Sequence, residues 1–245
     1  MKIGILGDIH ANIEALDAVL ATFVREGVER ILSVGDLVGY GADPSAVIAR
    51  LKEVGASIVL GNHDAAAAGI LVDLAYFNTF ARDAALWTRR TLSDSEREYL
   101  RALPLVYRDR DFVVVHGSLD RPQEFNYIQT ARDAERSIMS LDARVCFVGH
   151  SHVAASFFAN SNDPRRIEYS FDEEVDLSSF DRALINVGSV GQPRDEDPRS
   201  VAAIYDDGAR RLTLRRVAYD IDRAAGKILA AGLPRVLGER LRFGV

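Results

Sequence analysis

Each of the five histidines in this chain lies in a short polar motif that directly follows a hydrophobic run. The four motifs are Asp8-Ile9-His10, Gly61-Asn62-His63-Asp64, Val115-His116-Gly117 and Gly149-His150-Ser151-His152. A fifth motif, Gly35-Asp36-Leu37-Val38-Gly39-Tyr40-Gly41, has the same setting without a histidine. Polar residues placed in this way predict strands that end in functional side chains, and imidazole and carboxylate groups there suit divalent cations. The pattern therefore indicates a metal-assisted reaction carried by an α/β fold.

The first third of the chain alternates predicted strands and helices. Apolar runs and helical spacing predict strands at 3–6, 30–34 and 57–60 and helices at 12–26 and 44–54. Gly27 is placed to end the first helix, and Asp43 is placed to cap the second, which has Pro44 in its first turn. A βαβαβ order implies parallel strands joined by right-handed crossovers.

Helices and then strands fill the rest of the chain. Residues 65–102 are predicted to be mostly helical, with a capping box at Ser93-Asp94-Ser95-Glu96. Strands are predicted at 111–115, 143–148, 153–159, 183–187, 201–205 and 211–217. Several follow one another without a helix between them, which predicts a second sheet, mixed or antiparallel, packed against the first. The polar segment 160–181 is expected to form a surface loop, and 220–241 one or two helices broken near Gly232-Leu233-Pro234.

Composition narrows the classes of protein that this chain can be. Hydrophobic residues make up 48% of its 245 residues, enough for a full core, and no linker divides it, so we expect one domain over 1–245. The formal net charge of −6 argues against a broad nucleic-acid surface, although a bound metal can still attract a small anion. The chain has one cysteine, Cys146, which excludes an internal disulfide and a thiolate metal cage. This residue lies in an apolar run.

Membrane insertion and export are not predicted from this sequence. No apolar run approaches the roughly 18 residues of a membrane span. The chain starts with a predicted strand at 3–6 rather than with a signal peptide. We therefore expect a cytoplasmic protein with no membrane partner.

The polar motifs are expected to meet at one edge of the fold, because ligands gather beyond the carboxyl ends of strands in open α/β sheets. The candidate side chains are Asp8, His10, Asp36, Asn62, His63, His116, His150 and His152. The Asp-x-His and His-x-His spacings would place alternate residues on the same side of an extended segment. Glycines in the same motifs permit tight turns and close backbone approach, namely Gly35, Gly61, Gly117 and Gly149.

This set of side chains exceeds what one ion needs, since three or four protein ligands suffice for a catalytic metal. Two ions about 3.5–4 Å apart, bridged by a carboxylate and a water, would use the set fully. Asp36 is the natural bridge because it stands alone in its motif. We expect Mn²⁺, with Fe, Zn²⁺, Co²⁺ and Ni²⁺ as alternatives that an N/O ligand set also fits.

The five motifs, in this order, resemble those of the calcineurin-like metallophosphoesterase superfamily. The resemblance covers G-D-x-H, G-D-x-x-x-x-G, G-N-H-D, x-H-G and G-H-S-H between residues 7 and 152, and the run 186–194 extends it. That run resembles the small bacterial and archaeal phosphodiesterases of the superfamily. The fold implied is α/β, a two-sheet mixed β-sandwich flanked by helices in four αββα layers, which agrees with the elements predicted above.

The resemblance also implies how the ligands divide between two ions. The first metal would take Asp8, His10, Asp36 and His152, and the second would take Asp36, Asn62, His116 and His150. His63 would face the substrate, stabilising the transferring phosphoryl group or protonating the leaving oxygen, with Asp64 orienting its ring. A bridging water acidified by both ions, in effect a hydroxide, would be the in-line nucleophile. A capping role in the 62–64 turn is the alternative for His63.

Three further residues are candidates for substrate contact, and each has a structural alternative. Asn12 either caps the first helix or contacts phosphate. Tyr40 contacts the substrate or packs within its loop. Arg194 binds phosphate with both guanidinium arms or belongs only to a tight turn over 188–194. The large apolar residues of the middle helices are expected to be core or subunit contacts rather than a substrate stack, namely Phe77, Phe80, Leu86 and Trp87.

The expected substrate is a small phosphoester, either a nucleotide or a dinucleoside polyphosphate, that is cleaved as a phosphodiester. A protein serine/threonine phosphatase or other phosphomonoester phosphatase is the alternative enzyme. Protein phosphatases of the superfamily, however, have Asp-Arg-Gly and Gly-Asn-His-Glu motifs where this chain has Val38-Gly39-Tyr40-Gly41 and Gly61-Asn62-His63-Asp64. A non-catalytic binding or scaffold module is the alternative of another class, although all seven expected ligands are present. The oligomeric state stays open, and a homodimer is the state to test first.

Overall fold

The computed structural model describes residues 1–163 and 165–245. Its strands are β1 Lys2–Leu6, β2 Arg30–Ser33, β3 Ser57–Ile58, β4 Val106–Arg108, β5 Phe112–Val115, β6 Val145–Val148, β7 Ala155–Asn160, β8 Asp163–Ser170, β9 Glu174–Asp176, β10 Arg182–Asn186, β11 Ser200–Asp206 and β12 Arg211–Val217. Its α-helices are α1 Ile13–Glu26, α2 Pro44–Glu53, α3 Asn62–Ala68, α4 Thr79–Thr91, α5 Asp94–Arg101, α6 Ala131–Met139, α7 Ile221–Ala230 and α8 Arg235–Glu239.

The first sheet has six strands in the order β3-β2-β1-β11-β12-β9. Its strands β1, β2 and β3 are parallel, as the βαβαβ order predicts, and β1 pairs antiparallel with β11. The connecting helix α1 begins after Asn12, whose side chain accepts a hydrogen bond from the Ala15 amide at 3.1 Å. It ends at Gly27, which takes a left-handed φ of 70°. Local capping thus fixes where the first crossover starts and stops.

The second sheet also has six strands, in the order β4-β5-β6-β10-β7-β8. Its strands β5, β6 and β10 are parallel, and β4, β7 and β8 pair antiparallel with their neighbours. Both sheets are therefore mixed, and a second sheet is present as predicted. The strands predicted at 201–205 and 211–217, however, are β11 and β12 of the first sheet, where β11 pairs with β1.

The main apolar core lies between the two sheets. Ile3 and Ile5 of β1 are fully buried there together with Phe147 of β6 and Ile185 of β10. The outer face of the first sheet is covered by α1 and α2, and the outer face of the second is covered by α6. Because both faces of the central strands are buried, these strands appear in the sequence as continuous apolar runs. The αββα layering confirms the predicted fold class.

The segment 160–181 does not form the expected surface loop. It contains β8 and β9, each an edge strand of one of the two sheets. An edge strand has one side open to water, so its many polar side chains hide the alternation that would have predicted it. Helix α6, which was not predicted, covers the adjoining part of the second sheet.

Asp43 occupies the N-cap position of α2 but does not cap the helix with its side chain. Its carboxylate instead accepts a hydrogen bond from Lys227 Nζ at 2.8 Å, which links α2 to α7. Among the residues that the structure describes, none of the helices has both the length and the apolar character needed to cross a membrane.

Candidate metal centre

The predicted motifs lie at the ends of strands in both sheets. Asp8 and His10 follow β1, and Asp36 follows β2. Asn62 and His63 are the first two residues of α3, directly after β3. The second sheet supplies His116 after β5 and the pair His150 and His152 after β6. These side chains are largely buried, and they converge on two neighbouring clusters.

The first cluster joins Asp8 and His10 of the first sheet to His152 of the second. The Nε2 atoms of His10 and His152 lie 3.1 Å apart, although the two residues are 142 positions apart in the chain. The Oδ1 atom of Asp8 lies 3.4 Å from His152 Nε2. Three potential ligand atoms therefore face one small volume.

The second cluster joins Asp36 to His116 and His150. The Nε2 atom of His116 lies 3.1 Å from His150 Nδ1 and 3.0 Å from the side-chain oxygen of Asn62. The four residues that were expected to hold the second metal are thus within reach of one ion.

Asp36 lies between the two clusters. Its Oδ2 atom is 3.6 Å from His10 Nε2 and 3.4 Å from His116 Nε2. That atom is buried and has no hydrogen-bond partner among the described residues, whereas Oδ1 accepts from the His63 amide at 2.8 Å. A buried carboxylate oxygen without a donor is costly unless a cation neutralises it.

Three imidazole rings are oriented by backbone carbonyl groups. The Nδ1–H groups of His10, His116 and His152 donate to Val38 O at 3.0 Å, Val34 O at 2.9 Å and Gln192 O at 2.7 Å. Because a carbonyl can only accept, each ring in its neutral form directs its Nε2 lone pair at the clusters. Two such lone pairs, on His10 and His152, face each other at 3.1 Å and repel unless a cation or a proton lies between them. The chemistry of this acceptor set fits two divalent cations.

The pKa values reflect how strongly this centre excludes water. Burial raises the pKa of Asp8 to about 7 and lowers the pKa of His10 and His152 well below the usual histidine value. Burial also opposes the charge on His116, but the neighbouring Asp36 carboxylate outweighs it and raises the pKa of His116 to about 9. Without an ion, the second cluster thus retains a proton that metal binding must displace.

The convergence depends on an unusual backbone conformation. Asp8, His10, Asp36, His150 and His152 all have left-handed φ angles, between 48° and 70°. The prediction that extended segments direct alternate side chains into the site is therefore wrong. Left-handed turns set the directions of these side chains instead. Each left-handed residue costs about 1–2 kcal/mol unless local hydrogen bonds repay it, and Asp and His tolerate the conformation better than most residues. His150 and His152 thereby reach different clusters.

The segment 186–194 supports the first cluster. Ser189 Oγ donates to the Asp8 carbonyl at 2.8 Å and accepts from the Gln192 amide, also at 2.8 Å. The backbone carbonyl of Gln192 in turn accepts a hydrogen bond from His152 Nδ1 at 2.7 Å. Sequence reasoning did not single out Ser189 and Gln192 as functional. The only signal for them was that the 186–194 run extended the family resemblance.

Asn12 has both side-chain groups occupied within the protein. Its oxygen accepts from the Ala15 amide, and its Nδ2 donates to the Gly191 carbonyl at 2.9 Å. The helix-cap alternative is therefore the one that the geometry favours over phosphate contact. Asn12 also connects α1 to the 186–194 segment.

His63 is buried beside the centre, with its ring 4.9 Å from the rings of His10 and Phe77. Burial lowers its pKa to about 4, so the ring is neutral near pH 7. Its Nδ1 atom has no hydrogen-bond partner among the described residues. One nitrogen of the ring also lies close enough to His10 and Asp36 to act as a ligand.

Asp64 does not orient the His63 ring as expected. Its two carboxylate oxygens accept from the Val38 and Gly61 amides, both at 3.2 Å. Asp64 thereby holds the loop after β2 against the start of α3. Its effect on His63 runs through the backbone, because this carboxylate fixes the turn from which the ring extends.

Tyr40 and Arg194 lie together at the edge of the first cluster. The Tyr40 ring is 6% exposed and lies 4.6 Å from the His10 ring and 4.4 Å from the His63 ring. The Arg194 guanidinium lies 5.6 Å from the Tyr40 ring centroid and donates to Gln192 Oε1 at 2.8 Å. Its acidic neighbour Asp195 pairs with Arg216 instead, with one N···O distance of 3.0 Å. No described carboxylate forms an ion pair with Arg194, so its guanidinium lies at the rim without a directly paired acid.

A cleft of about 690 Å³ opens beside the second cluster. Its floor includes Asn62, His63 and His150, and its walls carry aromatic rings from two loops, Tyr76, Phe77, Phe125 and Tyr127. Phe77, Leu86 and Trp87 pack against the core as expected, although Phe77 also lines this cleft, and Phe80 is about half exposed. No periodicity in the sequence marked these rings, because loops have none.

Comparison with known proteins gives a consistent set of matches. Residues 1–207 match the calcineurin-like phosphoesterase superfamily domain. An uncharacterized protein of Methanocaldococcus jannaschii is 33% identical, over 99% of this chain and 98% of its own.

Solved structures agree with these matches. The crystal structure of a metallophosphoesterase from Sphaerobacter thermophilus is 40% identical and covers all of both chains, with a TM-score of 0.87. A hypothetical protein from Pyrococcus horikoshii is 20% identical over 100% of this chain and 98% of its own, with a TM-score of 0.80, and shares the fold.

Proposed function

This chain belongs to the calcineurin-like phosphoesterase superfamily, and we propose that it is a phosphodiesterase that uses two divalent cations to hydrolyse small nucleotides or dinucleoside polyphosphates. The observation that carries the two-cation proposal is the position of Asp36. Its buried Oδ2, which has no hydrogen-bond partner among the described residues, lies within 3.6 Å of imidazole nitrogens from both clusters. An oxygen placed between two sets of acceptors is suited to bridge two ions.

The protein's own residues divide into ligands and substrate contacts. Asp8, His10, Asp36 and His152 would hold one ion, and Asp36, Asn62, His116 and His150 the other, with Mn²⁺ favoured. When bound, the two cations neutralise charge on the phosphoryl oxygens and lower the pKa of an attacking water. His63, neutral near pH 7, would donate a hydrogen bond to a phosphoryl oxygen or to the leaving oxygen.

Two features support a diester over a monoester. The cleft beside His63 and His150 gives room for a second ester substituent. The Arg194 guanidinium lies 5.6 Å from the Tyr40 ring centroid, where it could engage a further phosphate of an extended substrate. Because the two sheets share one apolar core, we also propose that residues 1–245 act as one domain.

Paired chromogenic substrates test the proposal. With Mn²⁺ present, the protein should hydrolyse bis(p-nitrophenyl) phosphate faster than p-nitrophenyl phosphate. Asp36→Asn should abolish most of this activity and reduce bound metal below two equivalents per chain, whereas the exposed Asp83→Asn should change neither. Preference for the monoester would support a phosphatase. Two bound ions without turnover of either ester would support the scaffold alternative.

A further inference from the structure

We infer that the cleft beside the metal centre binds the nucleoside of the substrate, with the base stacked against the aromatic rings of the cleft walls. This inference rests on the proposed function, of which it names a substrate subsite. We call the pocket lined by Tyr76, Phe77, Phe125 and Tyr127 the aromatic cleft. Tyr76 and Phe77 come from the connection between α3 and α4, and Phe125 and Tyr127 from the connection between β5 and α6. Two loops that are distant in the sequence thus place rings around one space.

Core packing does not account for Tyr76, Phe125 or Tyr127, whereas Phe77 lines the cleft and also packs against the apolar core. Tyr76 is 96% exposed and Tyr127 is 50% exposed, which keeps large apolar surfaces in contact with water. Phe125 has a φ of 50°, a strained conformation for a bulky residue, and its ring lies 5.9 Å from that of His116. Strain of this kind persists where the surrounding structure holds a side chain in place, and it is concentrated at functional sites.

The cleft reaches the reacting groups directly. The Tyr127 ring stacks on the His150 ring, with centroids 3.7 Å apart, and Phe77 contacts His63. A molecule held between the walls therefore has one end next to the residues that would bind its phosphate. The cleft volume of about 690 Å³ lies within the usual range for small-ligand sites. It is larger than the volume that a methyl or glycerol substituent would fill.

The charge of the lining favours the nucleoside end of the substrate over its phosphates. The described residues that line the cleft include Asp73 and Glu124 but no lysine or arginine. Flat uncharged rings stack well on aromatic side chains, and the polar groups of Asn78, Gln123 and Asn126 could meet the edge of a base. The phosphate chain would then extend past His63 and His10 toward Arg194, whose guanidinium lies 5.6 Å from the Tyr40 ring centroid.

Binding measured by calorimetry tests the inference without requiring turnover. AMP and ribose 5-phosphate carry the same phosphate, and they differ by the base. The Mn²⁺-loaded protein should bind AMP about 5- to 150-fold more tightly, the range expected for stacking of one base. Tyr76→Ala should remove most of that difference, and Tyr76→Phe, which keeps the ring, should retain it. Tyr169→Ala is the matched control, because Tyr169 is 62% exposed and lies outside the aromatic cleft.

Kinetics then separates this inference from the proposed function. The p-nitrophenyl ester of thymidine 5′-monophosphate and methyl p-nitrophenyl phosphate share a leaving group. Tyr76→Ala should raise KM for the thymidine ester and leave kcat/KM for the methyl ester within about twofold. A preference for AMP without hydrolysis of either ester would uphold the nucleoside site and overturn the phosphodiesterase. Equal binding of AMP and ribose 5-phosphate, or equal losses on both esters in Tyr76→Ala, would overturn the nucleoside site alone.

Discussion

His63 differs from His10, His116 and His152 in that its Nδ1 atom has no backbone carbonyl as a hydrogen-bond partner among the described residues. Its Nδ1 side faces Gly39, where an added Cβ would lie 2.5 Å from that nitrogen, and Gly39 has a φ of 88°. The ring is therefore positioned by close packing rather than by a hydrogen bond. A side chain at residue 39 would displace it.

This packing leads to a prediction about turnover. His63→Ala should lower kcat by about 10²- to 10⁴-fold, because a positioned donor to the reacting group is lost. Metal content, measured by elemental analysis, should stay near two equivalents if His63 faces the substrate. Gly39→Ala should lower kcat in the same direction with both ions retained. Loss of an ion in His63→Ala would instead make this residue a ligand.

Arg194 leads to a prediction about substrate length. Its guanidinium has a buried Nε without a hydrogen-bond partner, and no carboxylate among the described residues forms an ion pair with it. Arg194→Ala should raise KM for polyphosphate-bearing nucleotides by about 10-fold or more, as expected for loss of a charge-assisted contact. The KM for a small chromogenic diester should hardly change.

Partial rescue distinguishes charge from shape at this position. Arg194→Lys should recover only part of the affinity, because a lysine keeps the charge without the planar fork. Equal loss on short and long substrates would mean that Arg194 holds the loop rather than a phosphate.

Among the elements, the 186–194 segment has the most influence on the centre although it supplies none of the expected ligands. Its backbone follows the Asp8 turn, with hydrogen bonds from Val190 N to Gly7 O at 2.7 Å and from Gly191 N to Asp8 O at 3.0 Å. Together with the Ser189 and Gln192 contacts, these bonds hold Asp8 in its left-handed conformation and set the direction of the His152 ring.

Removing one hydroxyl from this segment should therefore weaken metal binding. Ser189→Ala leaves the buried Gln192 amide without its acceptor and releases the Asp8 carbonyl. We expect about 10- to 100-fold lower Mn²⁺ affinity, the usual effect of losing a group that orients a ligand. Titration calorimetry measures it, with the exposed Ser179→Ala as control. Unchanged Mn²⁺ affinity in Ser189→Ala would show that the segment is only a connection.

At the scale of the whole molecule, the centre joins the two sheets. Asp8, His10 and Asp36 extend from the first sheet, and His116, His150 and His152 extend from the second. Each cluster includes residues of both sheets, so an ion in either one would tie the layers together.

Metal removal should consequently destabilise the fold. An ion at 100 times its Kd stabilises the folded state by about 2.7 kcal/mol per site. For a chain of this size, each kcal/mol shifts Tm by about 2–4 °C, so chelation should lower Tm by roughly 10–20 °C. Scanning calorimetry with Mn²⁺ and with EDTA gives the difference, which His152→Ala should reduce. Identical Tm values under both conditions would contradict a cation site between the sheets.

The sequence by itself determined the features that depend on near neighbours. Apolar runs located the central strands, and the capping groups at Asn12, Gly27 and Ser93 fixed the ends of helices within a residue or two. The types and positions of the acceptor side chains at strand ends were equally visible. The edge strands β8 and β9 were not predicted, because their pattern of apolar and polar residues depends on which neighbouring elements cover them.

Only the tertiary structure decided how those side chains meet. The contact between His10 and His152 spans 142 residues and exists because two sheets pack face to face. The partners of Asn12 and Asp64, the position of Arg194 and the rings of the aromatic cleft all depend on loops brought together by that packing. Local propensities act over a few residues, whereas the free energy that holds left-handed ligands and exposed rings in place comes from contacts between distant segments.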